Sequence, residues 1–266
     1  MRLEQILGKE WTITPAGGST GEAYYAQHQE KRLFLKRNSS PFIAVLSAEG
    51  IVPKLVWTKR LENGDVITAQ HWLEGRHLEQ TEMKHERVAS LLSKIHHSSE
   101  LLHMFMRMGK KPLEPESILQ HLKDIHHVQS KMDTSLDIHK GLKFLQEYLP
   151  YVRNQKKVVC HCDVNHNNWL LARNDELYLI DWENAMIADP AMDIGLLLHN
   201  YVPEDEWQEW LNIYGIELDE PLRYRMNWYV VVQTISFIQW HFERNEFQEV
   251  SNWMKTLQTF FRKIGF

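Results

Sequence analysis

The chain changes its hydrophobic period once, and that change limits what it can fold into. Up to about residue 72 the apolar residues alternate; beyond Gly75 they recur every three to four positions. Lys31 to Arg37 puts Leu33 and Leu35 on one face and Phe34 and Lys36 on the other, the pattern of a strand. Glu10 to Thr14, Glu22 to Gln27, Leu55 to Lys59 and Val66 to Trp72 read as further strands, and Pro41 to Ala48 as a turn or two of helix. Asn63-Gly64 between the last two strands suits the left-handed dihedrals of a tight hairpin turn. After Gly75, Val88, Leu91, Leu92 and Ile95 keep the i, i+3, i+4, i+7 spacing of an amphipathic helix. Ile118, Leu122 and Ile125 suggest a second helix, and Leu142, Leu145 and Leu149 a third. Short strands return at Val158–Cys160, Trp169–Leu171 and Leu177–Ile180. Helices then cover Asp205–Tyr214, Pro221 to about Phe242, and Phe247–Ile264. This order predicts an α+β fold: a small N-terminal β-rich lobe, residues 1–73, and a large helical lobe, residues 74–266. Function is expected in a cleft between such lobes.

Composition removes several classes of function. Thirty Lys+Arg against 35 Asp+Glu leave a net charge of −5, so no overall field draws the chain onto polyanions, and nucleic-acid binding is not expected. With 43% apolar and 24% charged residues among 266, the chain is an ordinary packed protein. Two cysteines cannot build a disulfide framework, which fits a reducing compartment. Met1 to Gln5 lacks the apolar run of a secretory signal. The stretch Trp228–Trp240 is interrupted by Gln233, Thr234, Ser236 and Gln239, well short of the ~20 apolar residues a membrane span needs. A cytoplasmic protein without membrane insertion is the expectation. Ten tryptophans are many for this length, and Trp207, Trp210, Trp228, Trp240 and Trp253 crowd the last quarter. Large rings dominate burial energetics, so they read first as core, with one or two left to line a ligand pocket. No pair among the fifteen histidines has the HExxH spacing of a helical zinc site.

Polar residues are concentrated where a core would not choose them. His161-Cys162-Asp163-Val164-Asn165-His166-Asn167-Asn168 sits between two short apolar runs, and Asp181-Trp182-Glu183 follows the next one. Two carboxylates, Asp163 and Asp181, and the Asn168 amide are hard oxygen donors suited to Mg²⁺. Cys160-His161-Cys162 with His166 lacks the second ligand pair of a finger-type zinc site. Near the N-terminus Gly17-Gly18-Ser19-Thr20-Gly21 forms a glycine-rich turn between strands that exposes its backbone.

His161-x-Asp163-x-x-x-x-Asn168, then Ile180-Asp181-Trp182-Glu183 and Asp189-Pro190-x-x-Asp193, resemble the aminoglycoside phosphotransferase/choline kinase family, whose fold is protein-kinase-like and bilobal. The likeness runs along nearly the whole chain and comes nearest to a small Gram-positive subgroup containing a cell-cycle regulator. It implies ATP and Mg²⁺ as cofactors. Asp163 would orient or deprotonate the attacking hydroxyl, with His161 bracing the loop together with Asp193. Asn168 and Asp181 would hold the metal. Lys36 would reach the α- and β-phosphates, with Arg32 and Arg37 as rivals, and Gly17, Gly18, Ser19, Thr20 and Gly21 would lie over them. His71, Trp72 and Leu73 would be the hinge that pairs with adenine. Glu49 is a candidate partner for Lys36, although it stands closer to Pro53 than the family places that glutamate. Asp189 and Asp193 read as structural. Cys162 stands where the family usually has glycine, and Asn165-His166-Asn167 replaces a His-Pro-Gly-like run, which alters the loop but keeps the essential groups.

The acceptor implied is a small-molecule hydroxyl. Only eleven residues separate Asp181 from Asp193, too few for the activation segment of a protein kinase, and Asp-Trp-Glu replaces Asp-Phe-Gly. Glu183, Trp182 and Trp207 are candidate acceptor contacts. Rings with acids suit a cation such as choline, another amino alcohol or an aminoglycoside, and rings with acids and amides also suit a sugar, so the residues do not decide; the likeness to the regulator subgroup favours a sugar or nucleoside. A nucleotide-binding regulator with a protein partner is the alternative to an enzyme.

Overall fold

The computed structural model describes residues 3–17, 22–129 and 135–266, so Gly18, Ser19, Thr20 and Gly21 of the glycine-rich turn lie outside the described residues. The chain divides into two compact units, one of residues 1–82, 99–108 and 165–183, the other of residues 83–98, 109–164 and 184–266.

In the first unit, α1 (Glu4–Leu7) precedes a five-stranded antiparallel sheet. Its strands are β1 (Thr12–Gly17), β2 (Ala23–His28), β3 (Lys31–Arg37), β4 (Leu55–Arg60) and β5 (Val66–His71), ordered β1-β2-β3-β5-β4. Alternation along β3 works as expected: Leu33 and Leu35 are buried with Ala26 and Ala69, and Trp11, Ile13, Tyr24 and Trp57 pack on them. The β4–β5 hairpin turns at Gly64, whose φ of 91° is open to glycine, while Asn63 Oδ1 accepts from the Asp65 amide. Helix α2 (Phe42–Ala48) lies between β3 and β4 in sequence, and its Phe42 ring meets Phe105 at 4.0 Å. Phe105 belongs to α4 (Ser99–Arg107), an element the apolar spacing did not single out. A second sheet contains β6 (Gly75–His77), β8 (Trp169–Ala172) and β9 (Leu177–Leu179), ordered β6-β8-β9. Gly75 is obligatory there, since a Cβ would stand 2.5 Å from the Leu171 carbonyl oxygen.

The second unit is mainly helical: α3 (Glu86–His97), α5 (Pro115–Gln129), α6 (Ser135–Val152), α7 (Ala191–Tyr201), α8 (Trp207–Tyr214), α9 (Glu220–Glu243) and α10 (Phe247–Ile264). A two-stranded antiparallel sheet, β7 (Val158–Cys160) with β10 (Met186–Ala188), completes it. Helix α9 runs through the middle, packed by α5, α6, α7 and α10, which explains why it is apolar on most of its circumference. Three of its polar residues bond to backbone carbonyls: Thr234 and Ser236 donate to Val230 and Val232, and Gln239 to Leu122. Gly195 lets α7 approach α9 closely, because a Cβ would lie 3.0 Å from both Cα and the carbonyl oxygen of Met226. Trp207, Trp210 and Trp228 are core residues, as is Trp169 of the first unit. Among the described residues no helix is long and apolar enough to cross a membrane. The α+β class predicted from the period change, with antiparallel sheet toward the N-terminus and helices toward the C-terminus, is the architecture observed.

Candidate functional site

In the first unit the register of one hairpin brings together two of the expected metal ligands. Trp169 pairs with Leu179, and just beyond that pair the Ile180 amide donates to the Asn168 carbonyl at 2.8 Å. Asn168 and Asp181 therefore leave the same end of the β8–β9 hairpin. Asn168 is buried and ends a 3-10 turn over His166–Asn168, whose N-terminus is capped by Asn165 Oδ1 accepting from the Asn167 amide. Asp181 follows with φ 65°, a left-handed conformation that costs a non-glycine residue about 1 kcal/mol or more and that recurs at functional positions. Lys36, next to buried Leu35 on β3, sends its Nζ to 2.5 Å from Glu183 Oε1 and 3.6 Å from Asp181 Oδ1. Those two are its carboxylate partners among the described residues. Glu49, the other candidate, stands at the C-terminal cap of α2 and is not one of them.

The hinge candidates differ in what their backbones can still do. The His71 amide donates to Lys54 and the Trp72 amide to Arg32, so Leu73 is the one of the three whose N–H no backbone carbonyl takes among the described residues. Trp72 and Leu73 also line an open groove of about 520 Å³ with Glu74, Arg76, Leu171 and Arg173. Lys36 and Asp181 do not line it. Gly17 ends β1 exposed, with φ 86°. Arg32 pairs with Glu74, and Arg37 with Asp65 at 3.4 Å. Both rivals of Lys36 are thus engaged away from Asp181.

The second unit holds the other part of the motif. Strand β7 delivers buried His161, then Cys162 with φ 64°, then half-buried Asp163. Buried Asp193, in the first turn of α7, takes both preceding amides: His161 N–H donates to Oδ2 at 2.7 Å and Cys162 N–H to Oδ1 at 2.8 Å. The His96 ring, also buried, reaches Asp193 Oδ2 at 3.0 Å. Burial alone pushes the Asp193 carboxyl up, but the hydrogen bond and charge of His96, together with His161, outweigh it and hold it below the ordinary range. Asp189 behaves oppositely. Burial raises it despite Arg225, whose guanidinium lies 2.9 Å from Oδ1, and despite the Ala191 amide.

The proposed acceptor contacts fall in different surroundings. Trp182 donates its indole N–H to the Leu179 carbonyl at 2.7 Å and packs on Phe42. Glu183 is engaged by Lys36. Trp207 is core: it is 2% exposed, donates to Val202, and has Arg223 and Lys263 against its ring. His96, Tyr214 and Arg225 are the residues of this region that motif spacing did not reveal. Among the described residues, the donor cluster compact enough for a metal is His96, Cys160 and Asp193, not the Cys-x-Cys pair with His166.

Comparisons with known proteins bear on the family and the fold. The model of the phosphotransferase enzyme family, APH, matches residues 12–229. Among solved structures, the choline kinase LicA from Streptococcus pneumoniae superposes with a TM-score of 0.71 at 17% identity, covering 98% of this chain and 96% of that one. The GDP and kanamycin complex of APH(2")-IIIa gives 0.71 at 16% identity, over 95% and 93%. At that identity the likeness establishes the shared kinase-like fold. An uncharacterized protein of Metamycoplasma hominis is 31% identical over 105 residues, which make up 38% of this chain and about a fifth (21%) of that protein. With its motifs placed as described and its family model matched over most of its length, the chain belongs to the phosphotransferase enzyme family.

Proposed function

We propose that this protein is an ATP-dependent small-molecule kinase that transfers the γ-phosphate to a hydroxyl. The observation that carries the reading is the Lys36–Glu183–Asp181 cluster, with Asn168 tied to the same hairpin end. One lysine beside hard oxygen donors suits a magnesium-bound triphosphate. Asn168 and Asp181 would hold Mg²⁺, which when bound neutralises charge on the phosphates. Lys36 would exchange its carboxylate partners for phosphate oxygens, and Gly17 to Gly21 and the Leu73 backbone would hold the rest of the nucleotide. Asp163 would accept the proton of the acceptor hydroxyl, while the amides held by Asp193 keep its loop in place. In this reading residues 1–73 serve the nucleotide and 74–266 serve catalysis and the acceptor. The hairpin of Asn168 and Asp181, although late in sequence, packs with the nucleotide part.

A neutral acceptor such as a sugar or nucleoside is the favoured class. Three acids near the candidate acceptor contacts support this: Glu183 is engaged by Lys36, Glu204 by Arg223 and Lys263, and Glu206 by Lys84. Choline, a related amino alcohol or an aminoglycoside is the second reading, favoured by the likeness to a choline kinase and to a protein crystallised with kanamycin. Release of ADP from Mg·ATP, measured across sugars, nucleosides, choline, ethanolamine and aminoglycosides, tests both. One acceptor should accelerate it, and Asp163→Asn should remove at least ~10²-fold of that rate. Nucleotide binding without stimulation by any hydroxyl compound would favour a regulatory scaffold instead.

A further inference from the structure

The groove beside Trp72 is not part of the phosphate cluster. Lys36 and Asp181 do not line it, and its residues Leu171 and Arg173 lie at the other end of the β8–β9 hairpin from Asn168. Arg76 pairs with Leu171 in the sheet register, so both stand on one face, whereas Leu170, on the other face, is not in the wall. At about 520 Å³ the groove falls within the roughly 300–1,000 Å³ of small-molecule sites. We propose that it binds a small aromatic anion, a planar ring carrying one acidic group, with the ring on Trp72 and the charge on Arg173, and that its occupation shifts nucleotide affinity through residues 72–74. The effect on nucleotide rests on the kinase reading above; the site itself does not.

The wall suits a ring and a charge. Trp72 is 38% exposed yet held, its amide donating to the Arg32 carbonyl at 3.1 Å and its ring meeting Tyr25 edge-on at 4.8 Å. An indole fixed in this way offers stacking area at little ordering cost. Half-buried Leu171 extends the apolar surface. Around them three guanidiniums meet two carboxylates: Arg32 and Arg173 share Glu74, and Arg76 donates to both oxygens of Glu82 at 2.6 Å. One positive charge is left over, in a chain whose net charge is −5. It is most available on Arg173, which is 80% exposed, gives Glu74 one nitrogen and keeps further N–H donors for an anion. A neutral or cationic ligand would leave that surplus unanswered. Coupling follows from the same bonds. The Arg173 amide donates to the Glu74 carbonyl at 2.9 Å, and the Glu74 carboxylate reaches β3 through Arg32, whose carbonyl holds Trp72. An anion that draws Arg173 off Glu74 loosens a tie on residues 72–74, where the Leu73 N–H is proposed to meet the nucleotide.

Fluorescence titration of the full-length protein with anilinonaphthalene sulfonate, an aromatic anion, tests the site. Wild type should bind it saturably at one site, and the uncharged parent phenylnaphthylamine at least ~fivefold more weakly. Trp72→Ala and Arg173→Glu should each weaken the sulfonate at least ~fivefold. Arg173 is exposed in a turn, so its variant keeps the test open if Trp72→Ala misfolds. Saturating Mg²⁺ and a non-hydrolysable ATP analogue should shift the sulfonate Kd about fivefold or more and then level off. Absence of saturable binding, equal binding of the uncharged parent, or an Arg173→Glu protein that binds as wild type does overturns the site. A shift that grows in proportion to nucleotide without limit also overturns it, because the groove is then the nucleotide's own seat. An unchanged Kd overturns the coupling. If the wild type binds no nucleotide, the kinase reading fails, while the charge and variant dependence still decide the site.

Discussion

Lys36 Nζ stands 2.5 Å from Glu183 Oε1, closer than its 3.6 Å approach to Asp181 Oδ1. The β3 lysine is thus paired with a carboxylate two residues beyond the proposed metal ligand. In the proposed reading a phosphate displaces Glu183 to reach it. Both side chains are partly exposed, so the contact is weak enough to exchange.

Removing that competitor has a defined effect. Glu183→Gln should strengthen Mg²⁺-free ATP binding by roughly two- to fivefold, the range expected of a solvent-screened pair. Calorimetry in the presence of a chelator measures it. Weaker binding would mean that Glu183 helps to hold the nucleotide rather than competing with it.

The Asp189–Arg225 pair is buried on the carboxylate side, Asp189 being 0% exposed and the Arg225 side chain 18%. Burial already works against the Asp189 charge. Arg225→Met should therefore destabilise the fold by about 3–5 kcal/mol, since an uncompensated buried charge is left behind. Urea unfolding reads the loss. A midpoint close to that of the wild type would mean that Asp189 accepts a proton or other partners at little cost.

Period and turn chemistry were legible in the sequence because they are local. The β3 alternation, the Asn63-Gly64 hairpin, and the helices over 207–214, 220–243 and 247–264 follow from neighbours within a few positions. The Asp163, Asn168 and Asp181 triplet stands out in the sequence for another reason: polar residues packed between short apolar runs are not what a core would choose, and the role given to them is the proposal made above. Helices α4 and α7 were harder to see. Leu101 and Phe105 make a stripe only one contact wide, and Ile194 to Leu198 read as a continuous apolar run that shows no period. His96 carries no signal in the sequence, because its partners Asp193 and Tyr214 lie about a hundred residues away and leave no local trace. Long-range ion pairs such as Arg225–Asp189 are hidden for the same reason.

His199 gives the fold a pH dependence of known sign. Burial, followed by the nearby Lys263 charge, lowers its pKa from 6.5 to about 4, and its Nε2 lies 3.0 Å from Asn227 Oδ1. Between pH 6.5 and 4 the unfolded chain binds a proton that the folded protein refuses, so this residue's contribution to stability falls as pH falls through that window. The slope reaches at most about 1.4 kcal/mol per pH unit. Thermal melts from pH 7 to 4.5 should show a steeper drop for wild type than for His199→Gln. Equal slopes would remove His199 as the cause.

The most direct measurement is calorimetric titration of a non-hydrolysable ATP analogue with and without Mg²⁺. Wild type should bind in a Mg²⁺-dependent manner. Lys36→Met should weaken that binding about tenfold or more, Asp181→Asn should lose most of the Mg²⁺ dependence, and Asp163→Asn should bind as wild type does. An Asp181→Asn protein whose binding still responds fully to Mg²⁺, or a wild type that binds no nucleotide, would contradict the assignment of the Lys36–Asp181 cluster as the triphosphate site.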